Sequence, residues 1–206
     1  MSAATRTVGR LAASPRAAHA VRSDNRIPQV LDAAARLFGE KGFGYTSMRD
    51  IAAIAGMLPG SLYYHFASKE DLLVAVYAEG VRRIKETVTS MLSSDGDPWT
   101  RLENVCAAHL EALLAGSGYA QVVIRVRPDD APEVAAQLIA LRDEYERTFA
   151  QAIRALPLPA GTDRGVLKLM LLGALNWSQT WYRPGRDSPQ VLARRFVRLL
   201  RDPLAT

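Results

Sequence analysis

The 206-residue chain is expected to be all-α, with an N-terminal three-helix unit of helix-turn-helix type and a larger helical domain behind it. Three observations point there. Apolar residues recur at three- and four-residue steps almost everywhere after residue 26, the period of a helix with one buried face. The separators between these runs contain Pro or Gly among polar residues, as turns require. No paired strands or hairpin accompany them: "QVVIRV", residues 121–126, has the β-branched content of a strand but stands alone among helical patterns.

In chain order, Ile27, Val30, Leu31, Ala34, Leu37 and Phe38 make the apolar stripe of a first helix, ended by Gly42 and Gly44. Ser47 opens "SMRDIAAIAG". There Met48, Ile51, Ala52 and Ala55 share one side, Gly56 is the stop, and Asp50 stands where a capping box needs it. Residues 59–66, "PGSLYYHF", form a third short helix, since Pro59 is tolerated in a first turn. Ser68 caps a long helix toward residue 93, with Glu70 and Asp71 near its positive end. Further helices are expected near 98–116, 119–127, 132–156, 163–182 and 188–201, separated by "GSG", "RPDDAP", "LPLPAGTD" and "RPGRDSP".

Composition narrows the function classes. The formal charge of +5 is concentrated at one end: residues 1–26 hold five arginines and one acid, leaving 21 basic and 20 acidic side chains in the remaining 180 residues. The basicity therefore belongs to a tail, expected over 1–25 as a disordered basic arm rather than an organellar transit peptide. One cysteine, Cys106, allows no internal disulfide and reads as a small core residue rather than a reactive thiol. His19, His65 and His109 lie far apart without metal-ligand spacing, so no metal and no cofactor is expected. No apolar run approaches the roughly 18 residues that cross a bilayer, so no membrane partner is expected.

"GSLYYHF", residues 60–66, asks for a surface that needs rigid, hydrogen-bonding rings. Two short helices around Gly56 match a helix-turn-helix, whose second helix enters the DNA major groove. Gly60 would allow close backbone approach, Ser61 offers a hydroxyl, and Tyr63, Tyr64 and His65 offer ring-borne donors, while Leu62 and Phe66 anchor the helix inward. An aromatic patch on an ordinary helical bundle fits the spacing equally well. The whole string "LFGEKGFGYTSMRDIAAIAGMLPGSLYYHFASKEDLL" decides between them, because it resembles the DNA-binding domain of the TetR family of bacterial repressors.

That resemblance implies a homodimeric, cytoplasmic repressor that binds a double-stranded DNA operator through residues 26–72 and a small effector through 73–206. Position by position, it implies that Thr46 and Ser47 meet phosphate and that Arg49 reaches phosphate or guanine. Pro59, Gly60, Ser61 and Tyr63 would face bases and backbone, and Tyr64, His65 and Lys69 would clamp phosphates. Leu58 departs from the family pattern, which has a serine, threonine or lysine there, and removes a cap. The last two helices would form the dimer's four-helix bundle.

"LNWSQTWYRPGRDSP" is similar to the "NW…WYRPGG" segment of TetR-type repressors controlling fatty-acid, phenylacetate or steroid-ring catabolism, many of which respond to acyl-CoA thioesters; Arg186 replaces the second glycine. The expected pocket residues are His109, Arg125, Tyr145, Asn176, Trp177, Trp181 and Tyr182. Arg125 and Arg127 could meet a CoA phosphate or pair with Asp129 and Asp130. The rival classes are an architectural DNA-binding protein without effector and an all-α enzyme. Against the enzyme, no GxSxG or HExxH occurs, and "GFG" near residue 42 lacks a preceding strand.

Residues 27–71 carry four basic side chains against five acids, so this module has little long-range attraction for DNA. The arginine arm can supply that term or be an inert extension. Deleting residues 1–22 removes four arginines, and weaker DNA binding with a shallower slope of log affinity against log salt is expected. An unchanged slope in a salt titration would make the arm a bystander.

Overall fold

A computed structural model describes residues 26–92 and 95–202. The basic arm expected over 1–25 lies outside the described residues, as do residues 93–94 and 203–206. Helix α1 spans Ile27–Lys41, α2 Met48–Ile54, α3 Pro59–His65, α4 Lys69–Leu92 and α5 Pro98–Leu114. Helix α6 spans Gly118–Arg125, α7 Ala135–Arg154, α8 Arg164–Trp181 and α9 Pro189–Arg201. Among the described residues there is no strand, and "QVVIRV" belongs to α6 up to Arg125.

Local chemistry sets most of the boundaries. Gly42, at φ 90°, ends α1 in a backbone region that side chains avoid. Ser47 and Asp50 form a reciprocal capping box: the Asp50 amide donates to Ser47 Oγ at 3.2 Å and the Ser47 amide donates to Asp50 Oδ2 at 3.0 Å. Asp97, Ser117, Asp163 and Ser188 cap α5, α6, α8 and α9 through their side chains, each such cap being worth about 1 kcal/mol. One helix starts later than its sequence pattern predicts. In place of a helix from 132, two single 3-10 turns, Pro128–Asp130 and Pro132–Val134, precede α7. Each proline drives the residue before it out of the helical region: Arg127 is extended and Ala131 sits at φ −148°.

Helices α1–α3 close around Val30, Ala34, Leu37, Phe38, Ile51, Ala52 and Leu62, all buried. The Phe38 and Phe43 rings lie 5.4 Å apart and fill the corner between α1 and α2. This small core is continuous with that of the larger domain through Leu72, Leu73 and Val76 on α4. Beyond it, α4 packs against α5, α6 and α7, and α9 lies along α5. The outward side of α8 and α9 leaves Val166, Leu169, Met170, Trp177, Trp181 and Leu199 exposed.

Helix α6 is wedged between α1 and α4 by glycines on three sides. A Cβ on Gly118 would meet the backbone of Ala35 at 2.8 Å, one on Gly39 would meet Gln121 Cβ at 3.1 Å, and one on Gly80 would meet Val123 Cγ2 at 2.8 Å. Polar groups stitch the same seam. Tyr119 Oη donates to Asp32 Oδ1 at 2.8 Å, the Arg83 guanidinium lies 4.1 Å from the Tyr119 ring centre, and Tyr77 Oη donates to the Val123 carbonyl at 3.3 Å. An eight-residue helix is marginal alone, so these contacts hold it in place.

Gly118→Ala is therefore expected to destabilise the protein by roughly 1–3 kcal/mol, because the atoms in the way are backbone and cannot rotate aside. The opposing gain in helix propensity is at most about 1 kcal/mol and smaller at a first helical residue. Urea unfolding measures the balance. A variant as stable as the parent would show that α1 and α6 separate at no cost.

Candidate nucleic-acid interface and internal cavity

The turn around Gly56, at φ 63°, joins α2 to α3. Around it the chain exposes Ser47 and Arg49 at the start of α2, and Gly60, Ser61, Tyr63 and Tyr64 on α3. Tyr64 is 82% and Tyr63 53% accessible, while Leu62 between their neighbours is fully buried and locks the helix to the core. A Cβ on Gly60 would meet nothing within 4 Å, so the backbone there is open to close approach. Pro59 is half-buried and begins α3; Leu58 precedes it with no side-chain cap, as its identity implied. His65 is half-buried with its ring edge-on to Tyr64 at 5.3 Å, and Phe66 packs partly against the core.

Two expected phosphate contacts have other work. Thr46 is buried, and its hydroxyl donates to the Gly42 carbonyl at 2.9 Å. Lys69 Nζ donates to the Phe43 carbonyl at 3.0 Å and lies 4.2 Å from the Phe43 ring centre. Both side chains hold the 42–47 turn from which α2 starts: Thr46 bonds the Gly42 carbonyl, and Lys69 joins the Thr46 amide on the Phe43 carbonyl and covers the buried Phe43 ring. Tyr45, 88% accessible in the same turn, was not singled out from sequence. Its signal was an aromatic residue in a glycine-rich turn, outside every helical stripe.

The larger domain encloses a cavity of about 180 Å³ between α4, α5, α6, α7 and α8. Its apolar walls include Val81, Ile84, Leu113, Val123, Leu138 and Leu172. Three expected pocket residues converge on it from three helices. His109 Nδ1 lies 2.5 Å from Tyr145 Oη, and His109 Nε2 lies 3.0 Å from Asn176 Oδ1. The Phe149 ring meets the His109 ring edge-on at 5.4 Å. Burial pushes the imidazole pKa down to about 4, against a smaller opposite effect of the Asn176 hydrogen bond. The ring is neutral at pH 7 and has one donor and one acceptor. The amide oxygen of Asn176 takes the Nε2 proton, so Nδ1 accepts from the Tyr145 hydroxyl.

The other expected pocket residues lie elsewhere. Arg125 points away, and its guanidinium donates to the Gly39 carbonyl of α1 at 3.4 Å. Arg127 lines the cavity and pairs with Asp130 at 3.5 Å. Trp177 is 67% accessible on the outer side of α8. Trp181 and Tyr182 border a separate groove with Arg183, Arg186 and Arg195. A helix presents neighbouring residues to different sides, so the "NW" pair divides: Asn176 faces inward and Trp177 outward. Tyr77 and Arg142 line the cavity and were missed, although Arg142 stands one turn before Tyr145 on the same helix face. Arg142 lies 3.7 Å from Glu146, which Lys168 also contacts at 2.6 Å. Cys106 is fully buried and burial pushes its thiol pKa up, as for an inert core residue. Among the described residues no cluster of three or more His, Cys, Asp or Glu side chains is placed to hold a metal, and no helix is long and apolar enough to cross a membrane.

The depressed His109 pKa makes a signed prediction. Below the unfolded pKa of about 6.5, the unfolded chain takes up a proton that the native ring refuses. Native stability is therefore lost as pH falls from about 6.5 toward about 4. Between pH 7 and pH 4.5 this one ring should cost roughly 2–3 kcal/mol. Urea unfolding at both pH values, compared between the parent and His109→Gln, isolates it. Equal pH dependence in the two proteins would show that the ring titrates freely.

Residues 30–76 match the family model described as bacterial regulatory proteins, tetR family. Residues 95–204 match the model described as tetracyclin repressor-like, C-terminal domain. The HTH-type transcriptional repressor KstR2 of Mycobacterium tuberculosis (strain ATCC 25618 / H37Rv) is 32% identical over 171 residues, which cover 79% of this chain and 84% of that protein. KstR2 of Rhodococcus jostii (strain RHA1) is 30% identical over 188 residues, covering 88% and 92%. Among solved structures, AibR in complex with isovaleryl coenzyme A and operator DNA aligns with a TM-score of 0.72 at 27% identity, covering 84% of this chain and 97% of AibR. With both the helix-turn-helix and the larger helical domain matched, the chain belongs to the TetR family of bacterial transcriptional regulators.

Proposed function

We propose that two copies of the chain bind an operator through α2 and α3, and that a CoA thioester in the internal cavity releases it. The observation that carries the DNA half is the exposed set Arg49, Ser61, Tyr63 and Tyr64 on a helix pair anchored by buried Leu62 and Ile51. The effector half is supported by the neutral Tyr145–His109–Asn176 cluster inside an apolar cavity and by the likeness to AibR, which was crystallised with an acyl-CoA and operator DNA. The exposed apolar side of α8 and α9 is the surface we assign to the second copy. Release has a route: Val123 on α6 lines the cavity, and Gly118 and Arg125 on the same helix touch α1. A ligand that moves α6 shifts α1 and with it the spacing of the two DNA-reading units.

An operator titration at fixed salt tests both halves. Arg49→Ala and Tyr63→Ala are each expected to weaken cognate binding by about 1–3 kcal/mol, the scale of a good base contact. For the parent, adding a CoA thioester should lower DNA affinity, and the thioester must bind free protein more tightly than DNA-bound protein by the same factor. Parent-like binding by both variants would remove the helix pair from the interface. A free acid active alone, with its thioester inert, would remove the CoA assignment.

A further inference from the structure

The cavity bears on the acyl part of the effector, and this inference rests on the CoA-thioester reading above. Its volume is about 180 Å³. A dry protein cavity of about 150 Å³ takes a benzene ring, whereas pockets that enclose drug-sized ligands run to roughly 300–1,000 Å³. A multi-ring group exceeds that volume. The surrounding side chains leave little room to grow, because Leu113, Leu138 and Leu172 are themselves buried against other helices. Val123, Ile124 and Pro128 are only half-buried, and Val123 packs over the bare Cα of Gly80.

The polar wall adds a second constraint. Both His109 nitrogens, the Asn176 oxygen and the Tyr145 proton are occupied within the cluster. What remains for an occupant is the NH₂ group of Asn176, a donor, and one further lone pair on each of the Asn176 and Tyr145 oxygens. The cations nearby are already paired: Arg142 with Asp143 and Glu146, Lys168 with Glu146, and Arg127 with Asp130. A neutral carbonyl suits this wall. A free carboxylate finds no unmatched cation there.

We infer that the effector carries a short acyl group of about five to seven carbons, straight, branched or a single ring, with its thioester oxygen accepting a hydrogen bond from the Asn176 amide. Each methylene beyond the fit is worth on the order of tenfold in discrimination. Chain length and not steroid-like bulk is what the protein senses.

Calorimetry and operator release with the full-length protein decide it, using acetyl-, isovaleryl-, hexanoyl-, benzoyl-, dodecanoyl- and palmitoyl-CoA and a CoA thioester bearing a fused-ring acid. The five- to seven-carbon thioesters should bind best, with acetyl- and dodecanoyl-CoA each weaker by about tenfold or more. Val123→Ala should move the optimum toward a longer chain, and Asn176→Leu should weaken the whole series about tenfold without moving the optimum. Best binding of palmitoyl- or fused-ring CoA would overturn this inference and leave the CoA reading intact. Binding of none of the thioesters would overturn both. A length profile unchanged by Val123→Ala would place the acyl chain outside this cavity.

Discussion

The close approach of α6 to α1 organises the molecule. At Gly118 no side chain separates the two backbones, and at Gly39 and Gly80 the neighbouring helices likewise yield their Cβ positions. Close packing without voids makes such a seam respond to small movements, because interdigitated interiors transmit displacement rather than absorb it. The polar pairs around it, Tyr119 to Asp32 and Arg125 to the Gly39 carbonyl, fix the register of the contact. Two helices join the cavity to the N-terminal unit: α6 borders the cavity through Val123 and Ile124 and packs on α1, and α4 lines it through Tyr77, Val81 and Ile84 and enters the small core through Leu72 and Leu73.

The cavity itself shows polar groups placed at an energetic cost. Burying an imidazole, a phenol and an amide inside an apolar bundle is unfavourable unless each finds a partner. Here each does, in a chain running from α7 through α5 to α8. A core built for stability alone would fill those positions with leucine and close the space. The retained cluster, the space beside it and the matched charges of Arg142, Lys168 and Glu146 describe a compartment for a neutral polar group on an apolar stem.

At the other end, α2 and α3, the helices we propose to read DNA, are held in place by hydrogen bonds within the protein. Thr46 and Lys69 satisfy carbonyls of the turn before α2, and Ser47 with Asp50 caps its first residues. The Ser47 hydroxyl and amide, both bonded to Asp50, hold that carboxyl's pKa below its usual value. On the firmly placed α3, Tyr63 and Tyr64 have only two side-chain torsions each and so little conformational entropy to lose on contact, which is the physical use of stiff aromatic side chains at such a surface.

Sequence by itself determined the helix pattern, because it depends on local signals: three- and four-residue periodicity, the Ser47–Asp50 box, the Ser68 cap, and glycines where φ turns positive. It also determined the helix-turn-helix and the family, since a long contiguous motif carries both. The start of α7 escaped it because two prolines acted on the residues before them. The side on which each polar residue lies was decided only in three dimensions. His109, Tyr145 and Asn176 are 36 and 67 residues apart from one another along the chain in their two contacts, and no local pattern encodes such a meeting. Arg125, Thr46 and Lys69 carry the chemistry of ligand contacts, and in the fold each donates to a nearby backbone carbonyl that no local pattern encodes. Trp177 went outward because a helix turns by about 100° per residue, so its neighbour Asn176 could face the cavity only if Trp177 did not.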